Sequence, residues 1–123
     1  MAGIVVVDDS PARNAVLSAM LRAAGHRVET AATLPGALRQ CRCTEPALVL
    51  VELLLRHGNG YSLAGFLQRR TGVPAALMVS RQQAAEIRWA RARGLAGVLT
   101  RPRPVAVMQN RVAELLATQE ETG

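Results

Sequence analysis

The sequence contains no lysine: all 15 of its basic residues are arginine, and with nine acidic residues they give a formal net charge of +6. A basic domain can bind nucleic acid, but it can equally prefer acidic protein partners. Aromatic residues are scarce, with only Tyr61, Phe66 and Trp89, which argues against a surface that stacks on bases. Nucleic-acid binding is therefore an alternative that only the charge favours.

Cysteine is also scarce. Cys41 and Cys43 lie two positions apart on a predicted helix, so their side chains face different directions and would not pair. A structural zinc site needs four ligands, and no second pair of Cys or His stands at ligand spacing. The spacing predicts one half-buried thiol and one exposed thiol.

Long hydrophobic runs are absent: no apolar stretch reaches the roughly 18 residues of a membrane span. The beginning, "MAGIVVVDD", has no basic leader and reaches two aspartates too early for a signal peptide. We therefore expect a cytoplasmic protein. At 123 residues it is expected to form a single domain over residues 1–119, followed by a polar tail over residues 120–123.

Short apolar runs alternate with helical patterns five times. Ser10 is the predicted cap of the first helix, with Pro11 at its first position and Gly25 as its stop, and Thr33 caps the second helix. The predicted strands are "GIVVV", "HRVETA", "ALVLV", "VPAALMVS" and "AGVLT". This alternation predicts an α/β protein with a doubly wound, five-stranded parallel sheet and right-handed crossovers.

Helical spacing also predicts which side chains face the core. The expected buried residues are Val16, Leu17, Met20 and Leu21 in the first helix, Leu34, Ala37, Leu38 and Cys41 in the second, Leu63, Phe66 and Leu67 in the third, and Val105, Met108, Val112, Leu115 and Leu116 in the last.

Polar residues follow four of the strands. Asp8 and Asp9 follow the first strand, Glu52 the third, Ser80 the fourth and Arg101 the fifth. In an open parallel sheet these ends meet at one edge, where functional groups collect. Clustered carboxylates repel one another unless a cation lies among them, and an all-oxygen site suits Mg²⁺. Asp8, Asp9 and Glu52 are therefore candidate metal ligands, with Arg101 as a second neutralising partner.

Over nearly its whole length the sequence resembles the receiver domain of bacterial two-component response regulators. The resemblance is carried by the acidic pair in "VVVDDS", by "LVLVELLLRHGNGY" with its loop glycine Gly60, by "MVSR" and by "LTRP". It implies a flavodoxin-like (βα)5 receiver fold with strand order 2-1-3-4-5, a role in phosphorelay signalling and no enzymatic activity of its own.

The resemblance also implies roles for the strand-end residues. Asp8 and Asp9 would hold Mg²⁺, Asp9 directly, and the acceptor position, Glu52 here, would take a phosphoryl group from a histidine kinase. Ser80 and the residue at the position of Arg101 would contact the phosphoryl oxygens. Their movement would repack the partner-binding face formed by the fourth helix, fifth strand and fifth helix.

The sequence departs from this pattern at the acceptor and at the basic residue. Glu52 stands in place of aspartate, which moves the nucleophilic oxygen by about one C–C bond, and phosphoryl transfer tolerates about 1 Å of misplacement poorly. Arg101 replaces lysine and offers a planar fork that grips carboxylates. Arg81, Val98 and Arg56 also replace a small residue, a switching aromatic and a proline.

These departures favour a pseudo-receiver that acts through protein–protein contact, with a permanent Glu52–Arg101 contact holding one conformation. The alternative is a working phosphoacceptor domain that uses Mg²⁺ at an unusual residue. A basic nucleic-acid-binding module is the third alternative. Whether Mg²⁺ binds is left open for the pseudo-receiver, whereas the working phosphoacceptor would require it.

The predicted fourth helix, "QQAAEIRWARARG", carries the candidate partner-binding residues Arg88, Trp89 and Arg91. An exposed tryptophan flanked by arginines makes an interface anchor. The alternative is that the Trp89 side chain packs over a neighbouring loop. The expected partner is a signalling protein, either a histidine kinase or a downstream effector, with a homodimer through the same face as a further option.

Overall fold

The computed structural model describes residues 2–56, 58–83, 90 and 94–122. The elements are β1 (Gly3–Val7), α1 (Pro11–Ala23), β2 (Arg27–Ala31), α2 (Leu34–Thr44), β3 (Leu48–Glu52), β4 (Leu54–Leu55), β5 (Gly58–Asn59), α3 (Gly60–Thr71), β6 (Ala75–Val79), a 3₁₀ turn (Arg81–Gln83), β7 (Gly97–Thr100) and α4 (Val105–Thr122). The first three strands of the predicted pattern are each followed by a helix, with two further short strands between β3 and α3, and most of the predicted fourth helix lies outside the described residues.

The main sheet has five parallel strands in the order β2-β1-β3-β6-β7. The predicted fourth and fifth strands correspond to β6 and β7, so the predicted order 2-1-3-4-5 is confirmed. Strands β4 and β5 form a two-stranded antiparallel hairpin within the loop that follows β3. The sequence pattern did not reveal this hairpin, because two-residue strands leave no periodicity to detect.

Helices cover both faces of the sheet. Alternate residues of the central strands point to opposite faces, since the side-chain period of a strand is two. Val5, Val49 and Leu77 pack towards α2 and α3, whereas Val6 and Leu50 pack towards α1 and α4. The central strands are buried throughout except at Glu52, which explains why "ALVLV" is continuously apolar.

Three residues predicted on buried helix faces are exposed instead: Val16 by 61%, Phe66 by 39% and Val105 by 50%. On α1 the reason is a rotation of the buried face. The residues that α1 buries, at helical spacing, are Asn14, Leu17, Ser18 and Leu21. Two polar residues, Asn14 and Ser18, thus lie on the buried face, and neither was among the residues predicted there.

Local signals at the helix ends and at the cysteines agree well with the structure. The Ser10 hydroxyl accepts a hydrogen bond from the Arg13 backbone N–H at 3.2 Å, and the Thr33 hydroxyl accepts one from Gly36 at 3.2 Å, so both predicted caps are confirmed. Cys43 is exposed, and Cys41 is buried rather than half-buried, so burial raises the pKa of the Cys41 thiol.

The predicted partner-binding residues Arg88, Trp89 and Arg91 lie outside the described residues, as does most of the helix predicted to carry them. At the other end, α4 continues to Thr122, into the segment predicted as a polar tail, and the domain boundary at 119 stays a prediction. Within the described ranges, no helix combines the length and the apolar character that crossing a membrane requires.

Candidate functional site

The carboxyl ends of β1, β3, β6 and β7 meet at one edge of the sheet. Asp8 follows β1, Glu52 is the last residue of β3, Ser80 follows β6 and Arg101 follows β7. Because these strands are neighbours in the sheet, their terminal side chains converge there. The predicted convergence of Asp8, Glu52 and Arg101 is confirmed by direct contacts between them.

Asp8 is the centre of this edge. Its side chain is fully buried, and each carboxylate oxygen accepts two hydrogen bonds. Oδ1 accepts from the Ser10 backbone N–H at 2.9 Å and from Arg13 Nη2 at 2.8 Å. Oδ2 accepts from Arg13 Nε at 2.8 Å and from Arg101 Nη2. A buried carboxylate needs such partners, because an unpaired buried charge is strongly destabilising.

The protonation of Asp8 follows from these partners. Burial alone would raise its pKa, but hydrogen bonds from Arg13, from the Ser10 backbone and from Arg101 outweigh that effect and hold the pKa below its ordinary value. In return, the hydrogen bond to Asp8 raises the pKa of the Arg13 guanidinium. Asp8 is therefore a carboxylate at neutral pH.

Arg101 joins Asp8 to Glu52. Its Nη2 donates to Glu52 Oε2 at 2.7 Å as well as to Asp8, and the side chains of Arg101 and Glu52 are each only 12% exposed. The other oxygen of Glu52 accepts a longer hydrogen bond, 3.4 Å, from the Leu54 backbone N–H. The Glu52–Arg101 contact expected from the sequence is present.

Asp9 lies further from this centre. Its Oδ2 accepts a hydrogen bond from the Arg56 backbone N–H at 2.6 Å, which ties the end of β1 to the loop after β3. Its Oδ1 is 3.7 Å from Arg13 Nη2, and its side chain is 20% exposed. We call Asp8, Asp9, Arg13, Glu52 and Arg101 together the charged rim.

The charged rim does not fit the Mg²⁺ site expected from the sequence. Asp8, Asp9 and Glu52 do not form a group that could hold a metal ion, and no other such group occurs among the described residues. The physical reason is that both oxygens of Asp8 point at guanidinium groups, and one oxygen of Glu52 does too. Two arginines, rather than a divalent cation, neutralise these carboxylates.

Arg13 is the member of the rim that sequence reasoning missed. It lies in the first turn of α1, where the helix dipole disfavours a positive charge. A basic residue at that place, four positions after Asp9, was the signal that a carboxylate partner lies close by. Arg13 is four positions after Asp9 and five after Asp8, and its side chain reaches both aspartates.

Ser80 lines a cavity of about 550 Å³ beside the rim, together with Glu52 and Arg101. Its backbone N–H donates to Gln83 Oε1 at 2.8 Å, which fixes the turn after β6. The cavity lies between α1 and α4, with an apolar wall and arginines near Glu52. Val16 and Val105, which are exposed contrary to expectation, form part of this wall.

Gly60 allows the loop after β3 to close tightly against the rim. A Cβ atom at this position would lie 1.8 Å from the Glu52 carbonyl oxygen, closer than any real contact. The Gly60 N–H donates to the Leu53 carbonyl at 2.8 Å, so the start of α3 is bonded to the chain directly after Glu52. The loop glycine anticipated from the sequence is required here for close backbone approach.

A doubly wound parallel sheet with an acidic residue after β1, a carboxylate at the end of β3 and a basic residue after β7 defines a receiver-type signalling domain. The family described as the response regulator receiver domain matches residues 4–113. The chain belongs to this family, and thus to two-component signal transduction.

Two curated relatives are similar in sequence. Protein PilH of Pseudomonas aeruginosa is 29% identical over 105 residues, which cover 83% of this chain and 87% of PilH. The DNA-binding response regulator MtrA of Mycolicibacterium smegmatis is 30% identical over 84 residues, which cover 68% of this chain and 37% of MtrA. The match therefore spans well under half of MtrA.

Solved structures show the same fold. NtrX from Brucella abortus superposes with a TM-score of 0.89 at 21% identity, covering 98% of this chain and 28% of that one. A two-component response regulator from Clostridium difficile has a TM-score of 0.82 at 20% identity, covering 95% of this chain and 97% of that one. At these identities the likeness concerns the fold alone.

Proposed function

We propose that this chain is a pseudo-receiver: a signalling domain that acts through protein–protein contact and accepts no phosphoryl group at Glu52. The observation that carries the proposal is the hydrogen bond of 2.7 Å from Arg101 Nη2 to Glu52 Oε2. That oxygen is already paired with a cation inside a largely buried network, so it is a poor nucleophile for a phosphodonor.

The position of Arg101 gives a second reason. A phosphoryl group on Glu52 would need a basic residue to neutralise it, but Arg101 already neutralises Asp8 and Glu52. Moving the Arg101 side chain, which is only 12% exposed, would leave the buried Asp8 with one guanidinium instead of two. Breaking a buried ion pair by removing one partner is strongly unfavourable.

The length of Glu52 gives a third reason. Its extra methylene moves the carboxylate beyond the position an aspartate would occupy, and that carboxylate lies within hydrogen-bonding distance of Arg101. In-line phosphoryl transfer depends on placing the attacking oxygen to within about 1 Å. The same methylene that favours the ion pair therefore disfavours the chemistry.

In this proposal the Glu52–Arg101 ion pair holds the strand ends together without any covalent modification. Arg101 connects the ends of β1, β3 and β7 and lies four residues before α4 begins. One conformation of that edge is thus held permanently, with a carboxylate charge of −1 in place of the roughly −2 of a phosphoryl group. A net charge of +6 favours an acidic protein partner.

Several earlier expectations remain predictions within this proposal. They are the absence of enzymatic activity, the cytoplasmic location, the choice between a histidine kinase and a downstream effector as partner, and a homodimer through the face formed by the predicted fourth and fifth helices. The nucleic-acid-binding alternative still rests on charge alone.

The test is a phosphorylation assay on the whole chain. The protein is mixed with Mg²⁺ and acetyl phosphate, and its intact mass is measured immediately, because acyl phosphates hydrolyse. We expect no gain of mass, while a receiver domain that retains the acceptor aspartate gains one phosphoryl group in parallel. A gain of one phosphoryl group by the wild-type chain, abolished in Glu52→Gln, would establish the working phosphoacceptor instead.

A further inference from the structure

The charged rim contains a feature that the proposed function does not use. Arg13 grips Asp8 with two hydrogen bonds of 2.8 Å, one from Nε and one from Nη2, in the side-on geometry that suits a guanidinium and a carboxylate. We propose that Arg13 is a built-in counter-ion that closes the acidic pair to divalent cations.

The first support for this inference is that the acceptor sites of Asp8 are occupied. An ionised carboxylate offers about four lone-pair sites. Oδ1 accepts from Ser10 and Arg13, and Oδ2 accepts from Arg13 and Arg101, so all of these sites are filled. A divalent cation held by Asp8, whether directly or through a coordinated water, would need at least one of them.

The second support for this inference is the balance of charges in the rim. Three carboxylates face two guanidinium groups, which leaves one net negative charge. That remaining charge belongs to Asp9, whose two oxygens lie near Arg56 N and Arg13 Nη2. A divalent cation entering this arrangement would be placed beside two positive groups and would gain little from one partly exposed carboxylate.

The difference between the two arginines identifies Arg13 as the controlling residue. Arg101 is 12% exposed and is shared between Asp8 and Glu52, so it stays in place when one contact is lost. Arg13 is 49% exposed, and both its partners are the aspartates of the acidic pair. Removing Arg13 therefore frees an acceptor site on each oxygen of Asp8 and leaves the rest of the rim intact.

The inference rests on the proposed function in one respect, namely that the rim functions without Mg²⁺. The inference and the proposed function can nevertheless fail separately. The phosphorylation assay reads mass on Glu52 of the wild-type chain. The metal experiment below uses no phosphodonor and reads binding at Asp8. Phosphorylation without metal uptake in the wild type would overturn the proposed function alone, and metal uptake without phosphorylation would overturn this inference alone.

The test is a titration of the whole chain with Mn²⁺, whose free form is measured by electron paramagnetic resonance. We expect no single-site uptake by the wild type and uptake of one Mn²⁺ per chain by Arg13→Gln, with an affinity higher by about tenfold or more. Adding Asp8→Asn to Arg13→Gln should abolish the uptake. Arg39→Gln, which removes the same charge from an exposed position on α2, should behave as the wild type.

Circular dichroism and thermal unfolding check that each variant is folded, and Arg13→Met, which keeps the aliphatic stem, replaces Arg13→Gln if that variant is not. Uptake of one Mn²⁺ by the wild type would overturn the proposal. So would a folded Arg13 variant that binds no more Mn²⁺ than Arg39→Gln does, because a closed site would then have some other cause than Arg13.

Discussion

At the charged rim, both oxygens of the buried Asp8 carboxylate accept two hydrogen bonds each, whereas on the inner face of α1 Asn14 Oδ1 and Ser18 Oγ are buried without a partner among the described residues. The two regions are adjacent, since Asn14 Nδ2 donates to the Asp8 carbonyl at 2.7 Å. The contrast shows that the buried charged group is fully hydrogen-bonded, whereas two buried neutral polar atoms are not.

A buried charge without partners is so unfavourable that the fold must supply partners. An unpaired buried hydroxyl or amide oxygen costs about 1–3 kcal/mol, which a domain can absorb. We therefore infer that the cost of an unpaired buried charge fixes the geometry of the rim. The inner face of α1, in contrast, tolerates unpaired polar atoms. Substitutions in the two regions should consequently have opposite signs.

The largest expected effect is at Asp8. Asp8→Asn keeps the shape but removes the charge that Arg13 and Arg101 share, and its amide group would meet their N–H groups. We expect the free energy of unfolding to fall by about 3 kcal/mol, at the lower end for a broken buried pair because Arg101 keeps Glu52. Urea denaturation measures this.

The matched control is Asp9→Asn. Its amide oxygen can still accept from the Arg56 N–H, and Asp9 is partly exposed, so we expect a loss under about 1 kcal/mol. Equal losses for the two variants would contradict the enforced geometry at Asp8.

The next effect concerns the backbone that closes the rim. Gly60→Ala would place a Cβ atom 1.8 Å from the Glu52 carbonyl oxygen, and backbone cannot yield as a flexible side chain can. We expect a loss of stability of about 3 kcal/mol, at the upper end for overpacking. Gly58→Ala, whose Cβ would meet nothing within 4 Å, is the control and should change stability by less than about 0.5 kcal/mol. A tolerated Gly60→Ala would mean that the loop after β3 is free to move away.

A smaller and graded effect is expected with pH. The pKa of Asp8 is lower in the folded chain than its ordinary value of about 3.9, so the stabilisation from its ionised form is complete above that value. It is lost as the pH falls through the folded pKa, with a slope of at most about 1.4 kcal/mol per pH unit for one proton. Denaturation from pH 6 down to pH 3 should show this slope in the wild type and a reduced slope in Asp8→Asn. Parallel curves for the two proteins would place the acid sensitivity elsewhere.

The same contrast shows how much of the structure can be predicted from the sequence. Strand ends are set by where apolar runs stop, so the meeting of Asp8, Glu52 and Arg101 at one edge follows from the pattern of strands alone. Helix caps follow equally from local chemistry, as Ser10 and Thr33 show. Both kinds of prediction depend on residues close in sequence or on a single regular period.

What the sequence did not predict depends on competition between distant groups. A long, mobile Arg13 side chain could have pointed to solvent, and only the buried Asp8 carboxylate determines its position. Similarly, the apolar pattern of α1 favoured Val16 in the core, but packing against the sheet turned Asn14 and Ser18 inward. The candidate metal ligands Asp8, Asp9 and Glu52 were chosen without regard to Arg13, whose guanidinium group lies against both aspartates.

The smallest expected effect, and the one of opposite sign, is at Ser18. Its side chain is buried, and its hydroxyl has no hydrogen-bond partner among the residues that the structure describes. Ser18→Ala removes that unpaired hydroxyl, leaves almost no cavity and improves helix propensity, so we expect the free energy of unfolding to rise by about 1 kcal/mol. Thermal or urea unfolding measures the gain, with Ser62→Ala at an exposed position of α3 as the control.

A loss of stability in Ser18→Ala, with Ser62→Ala unchanged, would show that the Ser18 hydroxyl is hydrogen-bonded in solution, for instance through a buried water shared with Asn14 Oδ1. The inner face of α1 would then be as fully paired as the charged rim, and the contrast between the two regions would disappear. A gain would instead mean that this face is a point where stability can be added without touching Asp8 or its partners.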